Sequence, residues 1–320
     1  MSSYSTAKPR LEAQGLRVPT RDCVQAAASR IAPYIHHTPV LQSQRLNEIV
    51  GTELLFKCEN FQKTGAFKAR GAVNVVMQLS SDIQSLVTHS SGNHGAALAW
   101  ASGLRAIQCS VVVPEDASPF KRRSMDRYGA TLIDCGQDLE SRESVLEEFV
   151  KQHVATFIHP YDDARIIAGQ GTATMELLEC EQNLEQIWVP VGGGGLASGA
   201  VLAGNGTVEV VCAEPELAKD AYLSMQTGFR QPSLPPITIA DGLRSSLGEI
   251  NFRILKAAKT RVALATEDSI RRALNLVFET MKIVIEPSAA VAVAAMLDNP
   301  SLVAKRVGVI LSGGNIPYPS

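Results

Sequence analysis

The chain lacks any pair of cysteines placed to share a metal or a redox reaction. Cys23, Cys58, Cys109, Cys135, Cys180 and Cys212 never fall within four residues of one another. That spacing excludes zinc-finger and CxxC redox motifs. Several lie in apolar runs such as Val210-Val211-Cys212-Ala213, so all are expected to be reduced, buried, small hydrophobes of an intracellular protein. Long apolar runs are also missing. No stretch approaches the roughly twenty residues of a membrane span, and the N-terminus has no signal-peptide core. A cytoplasmic location is expected. Nor is there an excess of one charge: 30 Lys and Arg face 32 Asp and Glu, for a net charge of -2. This excludes an electrostatic footprint for nucleic acid. The densest basic stretch, Lys121-Arg122-Arg123, reads as a solvated helix face. No internal repeat or low-complexity tract occurs.

What is present is a chain of 320 residues, 45% hydrophobic and 19% charged, able to bury a large core across two domains or lobes. Residues 1–19 read as a polar arm with Pro9 and Pro19. Val24, Ala27, Ala28, Ile31 and Ile35 then fall on one helical face, with Thr20 as N-cap. Strand-like runs follow at 53–57, 85–89, 109–113, 131–134, 156–159, 186–191, 208–213, 261–265 and 307–311. Between them the pattern predicts helices over 67–79, 93–102 (closed by Gly103), from about Pro119, and over 139–153, 171–180, 266–283 and 287–297. The segment 228–248 reads as a long ordered loop. Such alternation argues for an α/β fold with parallel sheets covered by helices. Ligands of such sheets bind beyond the carboxyl ends of the strands. Three segments directly follow predicted strands: Ser90-Ser91-Gly92-Asn93-His94-Gly95, Gly192-Gly193-Gly194-Gly195, and Ser312-Gly313-Gly314-Asn315. Their placement points to one shared site.

Lys68 supplies the chemistry. It lies in Thr64-Gly65-Ala66-Phe67-Lys68-Ala69-Arg70-Gly71, where a ring and small residues favour a neutral amine able to form a Schiff base. Four glycines between a strand and a helix exceed what a turn needs, and suit a phosphate held by backbone N–H groups. The loop lacks both the Lys-Ser/Thr ending of a P-loop and the G-x-G-x-x-G fingerprint, so a nucleotide-binding oxidoreductase is disfavoured. A lysine Schiff base with a phosphate cup implies pyridoxal phosphate. Ser90, Ser91 and the N–H groups of the 90–95 turn suit a substrate carboxylate, and Ser312 suits a ring nitrogen. Glu214, the carbonyl of Ala218 and Asp220 are candidate ligands for a hard cation.

Together these segments resemble the fold-type II pyridoxal-phosphate enzymes, most closely the serine racemase and serine–threonine (3-hydroxyaspartate) dehydratase family, from about Thr20 to Asn315. Ile239-Ala240-Asp241-Gly242 and Ile285-Glu286-Pro287-Ser288 are also similar to family signatures. The resemblance implies a tryptophan synthase β-like fold of two parallel or mixed twisted sheets flanked by helices. It divides the chain into a large cofactor domain (1–75 and 164–320) and a small mobile domain (76–163). Lys68 would be the catalytic lysine. Phe67, Asn93, Gly192–Gly195, Glu286 and Ser312 would surround the cofactor. Ser90, Ser91, Gly92, Asn93 and His94 would bind substrate. Glu214, Ala218 and Asp220 would hold Mg2+, Ca2+ or Mn2+. A homodimer is implied. The family's C-terminal regulatory region, and feedback by isoleucine, are not expected. Ala96 stands where animal serine racemases have a nucleotide-binding glutamine, which argues against that control.

The activity implied is β-elimination of water from L-serine, L-threonine or 3-hydroxyaspartate, giving a keto acid and ammonia. The alternative is racemisation of serine, with Lys68 and Ser91 as bases on opposite faces. Ser91 is the residue that permits it, since dehydratases of the family commonly carry alanine there. Arg142, in Glu140-Ser141-Arg142-Glu143, is a candidate for a second substrate carboxylate or a surface helix arginine. A cofactor-binding protein without activity is disfavoured because Lys68 and Ser312 are both retained.

Overall fold

The computed structural model describes residues 18–137, 139–235 and 237–317. Most of the expected N-terminal arm, including Pro9, therefore lies outside the described residues, as does Pro236 of the long loop. In chain order the elements are α1 (Arg21–Ile31), β1 (Val40–Leu41), α2 (Gln44–Val50), β2 (Glu53–Cys58), α3 (Lys68–Val76), β3 (Ser85–His89), α4 (Asn93–Gly103), β4 (Gln108–Pro114), α5 (Pro119–Arg127) and β5 (Ala130–Cys135). They continue with α6 (Leu139–Gln152), β6 (Thr156–Phe157), α7 (Ala164–Cys180), β7 (Gln186–Pro190), α8 (Gly195–Gly204), β8 (Glu209–Pro215), α9 (Asp220–Thr227), α10 (Glu249–Ala257), β9 (Arg261–Ala265), α11 (Glu267–Met281), α12 (Pro287–Asp298) and β10 (Arg306–Leu311).

Two sheets organise them. A six-stranded sheet runs β1-β2-β10-β7-β8-β9 and a four-stranded sheet runs β5-β4-β3-β6. Among the described strands only the β1–β2 pair is antiparallel; the other pairs are parallel. This is the α/β architecture expected. Parallel strands need crossover helices, and these cover both faces. On one face of the six-stranded sheet α11 and α12 pack, and residues 288–296 of α12 are all buried. Leu177, Leu196, Ala197, Phe252 and Leu255 cover the other face. The four-stranded sheet is covered by α3, α4 and α5 on one side and by Leu146 and Phe149 of α6 on the other.

The element boundaries differ from expectation in three informative places. α7 begins at Ala164, not near Gly171, because Asp163 caps it by accepting from the Arg165 N–H at 2.8 Å. Gly169 and Gly171 inside it are contact points rather than breakers. An added Cβ at Gly169 would lie 2.6 Å from Gly71 Cα, and one at Gly171 would lie 2.7 Å from the Gly199 carbonyl oxygen. α3, α7 and α8 thus cross backbone against backbone. α3 itself is shorter than the expected 67–79. Gly103 is the last residue of α4, and the left-handed position falls at Ala106, with φ of 54°.

Two side-chain expectations also need correction. Cys23 and Cys180 are exposed, while the other four cysteines are buried, and none of the six forms a disulfide. Lys121 is not on a solvated face: it is only 8% exposed. Arg122 does reach the surface, where it pairs with Asp134 at 2.5 Å. The long loop stays irregular apart from a short 3-10 turn at Asp241–Leu243.

Candidate active site

Lys68 opens α3, and two backbone contacts fix where that helix starts. Ala66 bridges Gly313, and the Phe67 N–H donates to the Ser312 carbonyl at 3.0 Å. The first residue of α3 is thereby tied to the end of β10. Lys68 Nζ donates to the Pro160 carbonyl at 3.0 Å and lies 5.2 Å from the Phe67 ring centre. The residue keeps some accessible surface, but protein surrounds its amine. Burial pulls its pKa from 10.5 down to about 8, against the opposing charge of Glu286.

Two residues on, Arg70 anchors the helix from the opposite side. Its guanidinium makes paired bonds to Glu59 at 2.7 and 2.8 Å and reaches Glu176 at 2.6 Å. Lys57 also reaches Glu176, at 2.6 Å. Burial disfavours the Arg70 charge, but the carboxylates outweigh it and hold its pKa above the ordinary value. Glu176 is held below the usual carboxylate range, since Arg70 and Lys57 overcome its own burial. A buried charge is stable only with such partners. The network leaves α3 one seat.

The turn after β3 folds around Ser90, whose Oγ accepts from the N–H groups of Gly92 and Gly95 at 3.1 and 3.0 Å. Ser90 therefore shapes the turn. Ser91 beside it is half-buried. Asn93 Nδ2 donates to Glu286 Oε1 at 2.7 Å, and Asn315 Nδ2 donates to Asn93 Oδ1 at 2.9 Å. His94 is 3% exposed, yet neither ring nitrogen has a hydrogen-bond partner among the described residues. Burial, with Lys68, His89 and His159 nearby, holds it well below the ordinary histidine pKa. It is neutral at pH 7, with one donor and one acceptor unused. Glu286 Oε2 is likewise buried without a hydrogen-bond partner. Burial raises Glu286 to about 7, moderated by Lys121.

The glycine loop lies between β7 and α8. Gly194 has φ of 91°, a conformation that favours glycine. An added Cβ at Gly193 would fall 2.3 Å from the Tyr161 ring, and one at Gly192 would fall 2.9 Å from Leu243 Cα. Side chains have no room there, so backbone faces the space. α8 starts at Gly195, and its leading N–H groups have no carbonyl one turn back to bond. Asn251 Nδ2 braces the loop through the Gly193 and Tyr161 carbonyls at 2.8 and 3.0 Å. Tyr161 directly follows Pro160, whose carbonyl receives Lys68, so amine and glycine loop meet over one short segment. Ser312, 3% exposed, directly follows β10 and meets the lysine segment through the Phe67 N–H.

His89, His159 and Tyr161 extend the site. His159 packs edge-on to Tyr161 at 4.6 Å and to His89 at 5.7 Å. Burial lowers His89 to about 3 and His159 to about 4. Arg142 is half-buried, and its Nε has no hydrogen-bond partner among the described residues. Its charge bears on both His89 and Tyr161. It is therefore not a plain surface helix arginine.

Glu214 lies near the end of β8, and Asp220 starts α9. Each is 1% exposed. Glu214 accepts from the Ala221 and Tyr222 N–H groups, both at 2.8 Å. Burial and the charge of Asp220 push its pKa well above the carboxylate range, and burial raises Asp220 to about 7. Asp220 Oδ2 is buried and unpartnered among the described residues. Ala218, 2% exposed, lies in the 3-10 turn between them. Two close carboxylates with an orphaned oxygen suit an oxygen-ligated cation.

Three features escaped sequence reasoning. Tyr161 and His159 follow β6, so the strand-end rule had the power to find them. The Arg70 network left only paired acids and bases scattered over 120 residues of sequence (57–176). Lys121 was hidden in a charge run.

Comparison with known proteins points to one family. The sequence model of the family "Pyridoxal-phosphate dependent enzyme" matches residues 31–313. The chain is 48% identical to a serine racemase of Dictyostelium discoideum, over 93% of this chain and 95% of that protein. It is 41% identical to a beta-hydroxyaspartate dehydratase of Paracoccus denitrificans, over 93% of this chain and 97% of that protein. The crystal structure of a T.th. threonine deaminase superposes with a TM-score of 0.90 at 38% identity, over 94% of this chain and 100% of that one.

Proposed function

Because the chain belongs to the pyridoxal-phosphate dependent enzyme family, we propose that it removes water from a 3-hydroxy amino acid. L-serine, L-threonine and 3-hydroxyaspartate are the substrate class, and a keto acid and ammonia are the products. The observation that carries this reading is the desolvated Lys68 amine beside a turn of unused polar groups. Relatives acting as a racemase and as a hydroxyaspartate dehydratase support it.

The residues present fit pyridoxal phosphate. The orphaned His94 nitrogens, the orphaned Glu286 oxygen and the side-chain-free glycine cradle all suit a phosphorylated polar ring. Lys68 would hold its aldehyde carbon and Gly192–Gly195 its phosphate. Asn93 would face its ring hydroxyl and Ser312 its ring nitrogen, with Phe67 and Glu286 beside it. When bound, the cofactor supplies a ring that withdraws electrons from the substrate Cα.

The chain's own residues do the rest. Ser91, Asn93 and His94 present donors to the substrate carboxylate, on a turn that Ser90 and Gly92 shape through their own hydrogen bond. Lys68, whose amine gives up its own proton near pH 8 rather than 10.5, takes the Cα proton. The Cβ–OH bond breaks, that proton leaves with the hydroxyl as water, and the released enamine tautomerises to an imine that adds water to give the keto acid and ammonia. Ser312 is a neutral partner, so it does not draw a full charge onto the ring. Arg142 holds the second carboxylate of a hydroxyaspartate.

Ser91 favours a second reading, interconversion of L- and D-serine. Its hydroxyl is a second proton donor in the turn that also carries Asn93 and His94. A product assay on purified, cofactor-loaded enzyme tests both. Keto acid with little D-enantiomer supports the dehydratase. D-serine formed as fast as pyruvate supports the racemase, and no product from any of the three substrates overturns both.

The proposal extends to the assembly. Residues 1–75 and 164–320 form a large domain, and 76–163 a small one that closes on substrate, in keeping with the membership of the two sheets. Glu214, the Ala218 carbonyl and Asp220 hold Mg2+, or Ca2+ or Mn2+ in its place. Six cysteines without a disulfide suit a reducing compartment such as the cytoplasm. A homodimer is the proposed assembly, with exposed Phe61 and Val284, brought near each other by the Asn60 bond to the Val284 carbonyl, as candidate surface for it.

A further inference from the structure

Lys121 stands on α5, which belongs to the four-stranded sheet. Its side chain leaves that unit and crosses to the six-stranded one. Nζ lies 2.5 Å from Asp241 Oδ2 and 3.7 Å from Glu286 Oε2. Asp241 opens the 3-10 turn whose Gly242 and Leu243 pack on Ser288 and on the glycine loop. Glu286 caps α12 and receives Asn93. The stem of Lys121 lies across the substrate-side turn: a Cβ added at Gly92 would fall 2.5 Å from Lys121 Cδ. One buried cation therefore touches the turn after β3 and two acids of the other sheet's loops. Its nearest anions lie 120 and 165 residues away in sequence.

We propose that Lys121 is a positioning residue, a clasp that holds the 90–95 turn against the Asp241 and Glu286 side of the site and keeps Glu286 oriented on Asn93. When the four-stranded unit swings away, Lys121 leaves with it, and Glu286 loses its nearest opposing cation. Closure and the charge at Glu286 are thereby one event. The groups facing Glu286 are Lys121 from α5, Asp241 from the loop, Lys68 from α3 and Asn93 from α4. Among these, Lys121 is the cation bonded to a second acid, so its loss leaves Asp241 and Glu286 as facing like charges.

The kinetic half of the test rests on the dehydratase or racemase reading; the exchange half does not. Lys121→Met, Lys121→Arg, Asp241→Asn and the double variant Lys121→Met/Asp241→Asn are made in the cofactor-loaded enzyme. Lys121→Met raises KM about tenfold with kcat changed less than about threefold, and moves the acid limb of kcat/KM upward by about one pH unit. Amide exchange in residues 92–95 speeds up at least about fivefold, while strand β3 keeps its protection. Lys121→Arg recovers most of both effects, and the double variant is no worse than Lys121→Met alone. Should Lys121→Met not fold, Asp241→Asn reads the same clasp from the other side. Exchange in 92–95 within about twofold of the parent in the folded variants overturns the clasp, as do fully additive effects. Failure of every substrate with the exchange result intact overturns the activity reading and leaves the clasp standing.

Discussion

Asn315 holds Asn93 in place across 222 residues of sequence, donating to its Oδ1 at 2.9 Å while Asn93 donates onward to Glu286 at 2.7 Å. The second Asn315 contact, to the Thr64 carbonyl at 2.8 Å, ties the same side chain to the segment before Lys68. One amide thus fixes which way another points. Asn315→Ala removes both contacts, and a part-buried hydrogen bond contributes about 1 kcal/mol. The expected outcome is an affinity for pyridoxal phosphate weaker by about five- to tenfold, read by fluorescence titration of the cofactor-free chain.

Lys68 titrates early. Its folded pKa of about 8 lies below the ordinary 10.5 because burial disfavours the cation. Between these values the unfolded chain binds the proton and the folded chain does not, so stability of the cofactor-free chain rises with pH across that window. The amine should react half-maximally with an acylating reagent near pH 8, as read by peptide mass mapping. Reaction only near pH 10.5 contradicts this. Lys68→Ala should remove the visible cofactor band together with activity.

Ser91→Ala separates the two reactions. It should abolish D-serine formation while leaving keto acid formation from L-serine within about threefold of the parent. Chiral product analysis reads both at once. Equal loss of the two activities removes the role of Ser91 as a second base.

Arg142→Leu tests the second carboxylate. A charge-assisted pair contributes about 1.5–3 kcal/mol, so kcat/KM for hydroxyaspartate should fall about 10- to 100-fold while serine turnover changes less than about threefold. Unchanged hydroxyaspartate turnover leaves Arg142 without that role.

The Glu214 and Asp220 pair predicts stabilisation by divalent cations. At about 100 times its dissociation constant a bound ion adds about 2.7 kcal/mol, or about 4 °C in Tm for a chain of this size. Asp220→Asn should abolish the Mg2+- or Ca2+-dependent shift in a thermal melt. A shift that survives both Asp220→Asn and Glu214→Gln moves the ion elsewhere.

Much of this site was legible because parallel strands deliver their loops to one side. The segments at Ser90, Gly192 and Ser312 were recognisable from that rule before any contact was known. The nine expected strands lie close to their expected limits, since short β-branched runs bounded by glycine and proline are strong signals, while the two-residue β1 is too short to give one. The start of α7 was not legible. Its glycines weaken the helical pattern, and the reason for them is the backbone of α3 and α8, which a linear pattern does not contain. Lys121 was misread for a related reason. A lysine between Phe120 and Arg122 looks solvated until Asp241 and Glu286 are brought to it. Conversely, Arg142 left its role open in the sequence, and only its unpaired Nε and its nearness to His89 and Tyr161 distinguish it from a surface charge.

The helix crossings made glycine to glycine bear on more than packing. α3 begins at Lys68, touches α7 through Gly71 and Gly169, and α7 touches α8 through Gly171 and Gly199, just beyond the loop at Gly192–Gly195. The distance from the Lys68 Cα to the Gly192–Gly195 loop is therefore gauged by peptide planes, the stiffest ruler a polypeptide has. No rotamer change can lengthen it. Arg142, proposed above to meet the substrate, hangs from another element, α6, outside these crossings. A substitution on α6 can therefore change what the proposed site accepts without altering the spacing of Lys68 from the glycine loop.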